Sequence, residues 1–365
     1  MLQSHMPKDS LRRPSREKIF TYSLVIVGFV VMQLLGQTGN LSSSLRGQLV
    51  PICAYVVMAI SLNLTVGILG ELSLGHAAFM SIGAFTGVIA AISLESLIPI
   101  AWLRLVLAMV VGAVCAGVAG FLIGIPVLRL MGDYLAIVTL AFGEIIKNLI
   151  TCLYVGVDDK GLHISFLGNA SALPLGEGGQ VIVNGPMGIA GITKLSTFTA
   201  GFLLIMVSLF VVLNLINSRA GRAIMAVRDN RIAAESVGIP VTKYKLMAFV
   251  TSAVLAGAAG ALYALNYSTI VATKFNFTTS ISILVFVVLG GLGNIWGSII
   301  AAVVLTVLPE LLREFNDYRM LVYAIVLILV MLATNNSTFI LFWGQLKAKL
   351  ASLFGSSKKA GEGNE

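Results

Sequence analysis

Apolar residues run in long blocks along this chain, with polar residues gathered into the intervals between them. The blocks lie at 19–36, 49–70, 76–93, 100–126, 134–152, 196–217, 246–267, 280–291, 297–312 and 319–334. A helix of about 20 apolar residues crosses the roughly 30 Å hydrocarbon layer of a bilayer. The pattern predicts an all-α polytopic integral membrane protein of about 8–10 transmembrane helices, some of them glycine-broken or re-entrant. Residues 1–18 then form a basic N-terminus, 19–334 the transmembrane domain and 335–365 a C-terminal tail. The stretch 279–312 has Gly290, Gly291, Gly293, Asn294 and Gly297 at its middle, so it divides into two elements or forms one broken helix.

Composition sharpens this. Of 365 residues, 58% are hydrophobic and 11% charged, with a mean hydropathy of +0.96, against about 25% charged in soluble proteins. Soluble enzymes and nucleic-acid binders are excluded on that ground. The net charge of +8 matters through its placement, because basic residues mark cytoplasmic segments. Lys8, Arg12, Arg13, Arg16 and Lys18 precede the first block, and the interval 218–245 is rich in arginine and lysine. Both are assigned to the cytoplasm, with six crossings between them. The Gly-rich interval 156–195 is assigned to the external face, and the lysine-bearing tail to the cytoplasm. The three cysteines, Cys53, Cys115 and Cys152, are scattered and are read as packing residues.

Backbone breaks at membrane depth survive only where protein or a water-filled cavity surrounds them. Two glycine-rich stretches qualify, 67–76 and 290–297. Each is either a tight turn between packed helices or a discontinuous helix of the kind that lines transport paths. Their polar and glycine residues, Asn63, Gly70, Glu71, Ser73, Gly75, His76, Gly291, Gly293, Asn294, Gly297 and Ser298, form the candidate translocation path. Ser73 is positioned to cap a helix opening at neutral His76, and Asn63, Glu71, Ser73 and Asn294 serve the broken backbone or the cargo equally well. Glu144 joins this set; it lies three residues before Lys147 on one helix face. That spacing permits self-pairing, which offsets a burial cost of about 2.5–3.5 kcal/mol per charge. Small residues recur at 83–87, 112–120 and 253–261, the spacing for close helix packing.

Residues 222–237 contain no Gly or Pro and read as one amphipathic helix, stopped by Gly238 and Pro240. Arg222, Arg228, Asp229, Arg231 and Glu235 contrast with Ile224, Val227 and Ala234. Two readings fit: a helix lying on anionic headgroups or a coupling helix seated in a separate ATPase. The chain shows no Walker, G-x-S-x-G or HExxH motif, so it is expected to be no enzyme, and no metal site is expected.

These residues also carry a resemblance. Ser61-Leu62-Asn63-Leu64 with Gly67 and Gly70, then Leu72-Ser73-Leu74-Gly75-His76-Ala77-Ala78-Phe79-Met80, resemble the permease subunits of branched-chain amino acid ABC importers. So do residues 133–146, 184–189, 222–239 and 290–312, in family order across about 48–334, closest to the second-type permease of the pair. The resemblance implies an ABC importer permease fold in a bacterial or archaeal cell membrane. It implies a heterodimer with a sister permease, two ATPases contacting residues 222–238, and an extracytoplasmic amino-acid-binding protein. ATP and magnesium belong to the ATPases, and no cofactor is expected on this chain. Urea or short amides are the rival cargo; an ion-coupled carrier using Glu71, Asp133 and Glu144 is the rival mechanism.

Overall fold

The computed structural model describes residues 15–312, apart from 39–41, 96, 131, 159–160 and 167–178, with a few positions between 318 and 328. The basic segment 1–14 and the tail 335–365 lie outside the described residues, as does most of the last apolar block. The helices are α1 (Ser15–Gln37), α2 (Ser43–Asn63), α3 (His76–Ser93), α4 (Ala101–Val127), α5 (Asp133–Thr151) and α6 (Phe198–Asn217), followed by α7 (Arg219–Asp229), α8 (Arg231–Ser236), α9 (Val241–Ala264), α10 (Phe277–Gly290) and α11 (Ile295–Leu311). Seven helical spans among the described residues are long and apolar enough to cross a membrane, and two shorter apolar helices accompany them. The chain is therefore a multi-pass membrane protein. The stretch 279–312 forms two helices, α10 and α11, separated at 291–294.

The packing explains the small-residue runs. A Cβ on Gly83 would lie 2.1 Å from the Gly257 carbonyl oxygen, and one on Gly260 would lie 2.0 Å from that of Met80. The helices α3, α4 and α9 thus meet backbone to backbone, through the runs at 83–87, 112–120 and 253–261. Most of α2 is enclosed by its neighbours, while α4 turns Val106, Val110, Val114 and Val118 outward. At the rim, Phe29 of α1 stacks on Phe202 of α6 with ring centroids 4.1 Å apart.

The interval 156–195 contains something the sequence reading does not anticipate. Strands β1 (Tyr154–Asp158), β2 (Gly161–Ser165), β3 (Gln180–Asn184), β4 (Ile189–Ala190) and β5 (Thr269–Ile270) form one sheet, in the order β2-β1-β3-β4-β5. The described pairings are antiparallel. Val155, Ile182, Val183 and Ile189 are buried, so the sheet has its own apolar face. It follows α5, precedes α6 and takes its last strand from just after α9. It therefore sits at the opposite end of these helices from α7 and α8. Residues up to Val307 form one compact unit and Leu308–Glu365 a second; the functional features lie in the first.

Candidate functional site

The helix α2 does not stop cleanly. After Asn63 it widens into a buried π turn, Leu64–Leu69, and ends at Gly70 in the left-handed region at φ 81°. β-branched Thr65 and Val66 beside Gly67 weaken the ordinary helical register, and π turns gather at functional sites. Residues 70–75 then run irregularly until α3 opens at His76.

The second glycine stretch packs directly on the first. Asn63 Oδ1 accepts from the Gly293 N–H at 2.8 Å, while its Nδ2 donates to the Asn294 carbonyl at 3.0 Å and to Ser298 Oγ at 2.8 Å. Gly67 must lack a side chain, because a Cβ there would stand 2.2 Å from the Gly293 nitrogen. Asn294 caps α11, its Oδ1 accepting from the Gly297 N–H at 3.4 Å. Gly291 and Gly293 make the turn between α10 and α11 with φ of 91° and 79°. The two breaks, read separately in the sequence, are one site.

Further ties hold the irregular segment. The Leu74 N–H donates to Thr139 Oγ1 of α5 at 3.1 Å, and Gly75 lies against the Thr139 carbonyl. Ser73 does not cap α3, contrary to the sequence expectation. Gly75 occupies the cap position, and Ser73 Oγ is buried with no partner among the described residues. The free α3 donor at Ala77 instead goes to Ser280 Oγ of α10 at 3.1 Å. His76 is buried, with Nε2 2.8 Å from Ser61 Oγ. Ser61 gives its one hydroxyl proton to the Met58 carbonyl at 2.9 Å, so His76 donates from Nε2.

The expected single rod at 222–237 is two helices. Asn230 is extended at φ −156° and ψ 106°, and its Oδ1 accepts from the Ala233 N–H at 3.0 Å, capping α8. Asparagine competes for this cap more strongly than for a helix interior. The apolar stripe divides with it: Ile224, Val227 and Ala234 are buried, whereas Ile232 and Val237 are 79% and 76% exposed. Arg222, Asp229, Glu235 and Gly238 are exposed, and Arg231 pairs with Glu235 at 3.0 Å.

Two basic side chains join this surface region to the first break. Arg228 Nη1 donates to the Gly67 carbonyl at 3.0 Å, and its stem lies over Gly70, where a Cβ would be 2.5 Å from Arg228 Cγ. Lys245, in the first turns of α9, pairs with Glu71, both side chains nearly buried. Sequence reasoning counts Lys245 with the basic interval 218–245 and misses its pairing; the structure places it inside α9, where a buried lysine needs a partner. An open cavity of about 710 Å³ lies here, lined by Gly70, Glu71, Asp133, Arg228, Asn230 and Glu235 among others. Glu144 stands apart, paired with Lys147 on α5. No group of three potential metal ligands occurs among the described residues.

Residues 44–331 match the family model described as branched-chain amino acid transport system / permease component. The chain is 34% identical to the high-affinity branched-chain amino acid transport system permease protein LivM of Salmonella typhimurium, over 92% of this chain and 77% of that one. It is 35% identical to LivM of Escherichia coli, over 81% and 70%. It is 25% identical to the fructose import permease protein FruG of Bifidobacterium longum, over 82% and 85%. No solved structure matches the chain. A multi-pass helical bundle with paired glycine breaks, matched over most of its length, belongs to the branched-chain amino acid transport system permease family.

Proposed function

We propose that this chain is the membrane-spanning permease subunit of an ATP-driven ABC importer carrying leucine, isoleucine and valine. An extracytoplasmic binding protein delivers the amino acid, a sister permease completes the path, and two separate ATPases supply the work. The chain performs no covalent chemistry and binds no cofactor; ATP and magnesium belong to the ATPases. It sits in a bacterial or archaeal cell membrane with its N-terminus and the 218–245 segment in the cytoplasm.

The observation that carries this reading is the Arg228 hydrogen bond to the Gly67 carbonyl. A helix held flat on headgroups needs no fastening to a break inside the bundle. A helix that receives a push from a motor does. Closure of the ATPases displaces α7, Arg228 and Lys245 carry the displacement to residues 67–71, and Asn63 passes it to 291–298. An ion-coupled carrier fits less well, because Glu71 and Glu144 are already engaged by Lys245 and Lys147.

The test is uptake of radiolabelled leucine, isoleucine and valine by proteoliposomes holding both permeases and both ATPases, with the binding protein outside. Uptake is expected only with ATP inside. Accumulation by this chain alone under an ion gradient would refute the importer reading, and uptake of fructose in place of the amino acids would refute the cargo.

A further inference from the structure

The sheet-side end of α9 carries basic charge that nothing offsets. Lys274 Nζ lies 4.8 Å from the centroid of the Tyr267 ring, which holds the ammonium over the aromatic face while the residue stays exposed. Lys194, also exposed, is set beside the same stretch: the Ile192 N–H donates to the Ser268 carbonyl at 3.0 Å and the Leu195 N–H to that of Leu265 at 3.1 Å. Neither lysine has a carboxylate partner among the described residues. The acids at this end of the first unit, among the described residues, are engaged. Glu95 pairs with Arg104 at 3.1 Å, and Asp158 accepts from the Gly161 N–H and lies against His163 Nε2, both at 3.1 Å. Met187, 73% exposed, stands on the neighbouring turn, where Gly188 packs against the Ile270 carbonyl.

The place of this patch decides what can reach it. The helix α9 is central, packed on α2, α3, α4 and α6. Its end therefore opens above the middle of the bundle, not at the rim where α4 turns its valines outward. Headgroups and a subunit packed alongside meet the rim, whereas a partner arriving from water meets the patch. The patch is also firmly seated. Tyr267 packs on Tyr263 of α9 with ring centroids 5.0 Å apart, Tyr263 on Tyr55 of α2 at 5.8 Å, and Tyr55 on Phe286 of α10 at 6.1 Å. Both α2 and α10 run into the glycine breaks, so a load on the patch falls on the helices that carry the site.

We propose that Lys194 and Lys274, with Met187 beside them, form a docking patch for an acidic surface of the extracytoplasmic binding protein. An exposed methionine flanked by charge has the make-up of a protein interface with a polar rim. The two open ammoniums attract a partner whose carboxylates face them. Rim charges of this kind set the association rate and its salt dependence. The inference rests on the permease reading above and names where on this chain the delivering partner lands.

The test uses the complete importer in nanodiscs with Lys194→Glu and Lys274→Glu combined, and the loaded binding protein in solution. Surface plasmon resonance is expected to show association slowed about tenfold at low ionic strength, with the difference closing at high salt. ATP hydrolysis in the absence of binding protein is expected to stay within about twofold of wild type. Unchanged association, or an equal loss at low and high salt, overturns the inference. Association that follows the anionic-lipid content of the nanodisc and ignores both substitutions gives the patch to headgroups and overturns it too. A second measurement leaves the lysines in place. Zero-length carbodiimide coupling, which joins amines to carboxylates in contact, is expected to yield peptides linking Lys194 or Lys274 to Asp or Glu of the binding protein. Links through other lysines alone overturn the inference independently and leave the importer reading intact. A wild-type importer that neither binds the loaded binding protein nor is stimulated by it overturns the permease reading, and this inference with it.

Discussion

A side-chain amide offers one acceptor and two donor hydrogens, and Asn63 uses both ends on the turn that joins α10 to α11. Removing it strips polar groups of partners in a place water reaches poorly, at about 1–3 kcal/mol for each group left unsatisfied. Asn63→Ala is accordingly expected to lower the thermal midpoint of the purified complex by several degrees. Asn63→Asp keeps only the acceptor for Gly293 and is expected to fall with it. An unchanged midpoint in differential scanning fluorimetry would show that Asn63 is no fastener. At this scale the sequence is partly legible. Asn63 and Asn294 stand out as amides beside glycines, and both do serve the broken backbone. Their meeting across 231 positions has no local trace, and neither does the Lys245–Glu71 pair, 174 positions apart. Ser73 looks like a cap because it precedes a helix; the chain continues irregularly to Gly75, which takes the cap position, and the hydroxyl is buried.

The elements follow the same logic. Spans are legible because block length and composition are set by the bilayer, whatever the neighbours do. The interval 156–195 looks like a loop because its strands are short and the stretch around them is glycine-rich. A strand pair is nonetheless written there: Val155 and Val157 alternate with polar or small residues, as do Leu162 and Ile164, and Asp158 pairs with Gly161. The surface helix misleads in the opposite sense. Without Gly or Pro it reads as continuous, yet Asn230 ends α7 and caps α8 within one residue. Asn230→Ala removes a cap of typically about 1 kcal/mol. Amide hydrogen exchange at 231–236 is expected to quicken about fivefold, with α7 unaffected. Equal protection across 219–236 in the variant would mean that the two helices had fused instead.

For the whole molecule, the sheet is the feature with the widest reach. Ile189 and Ala190 pair with Ile270 and Thr269, and the Ile192 N–H donates to the Ser268 carbonyl at 3.0 Å. Main-chain bonds therefore lace together the ends of α5, α6 and α9 on the side away from α7 and α8. A disulfide between Ala190→Cys and Thr269→Cys, which stand opposite each other on the two strands, is expected to leave leucine uptake within about twofold. This assumes that transport never parts these strands. Uptake measured before and after reduction decides it; recovery only on reduction would show that they separate in each cycle. Sliding of these helices along their axes would rupture the lacing, whereas tilting about it costs few bonds. The 20 residues of α6 make an arm ~30 Å long. A tilt of about 5° over that length sweeps its far end by roughly 2–3 Å, about half a helical turn of travel delivered where Arg228 grips the broken helix. The sheet thus serves as a fulcrum, and the distance between it and Arg228 sets the mechanical advantage of the machine.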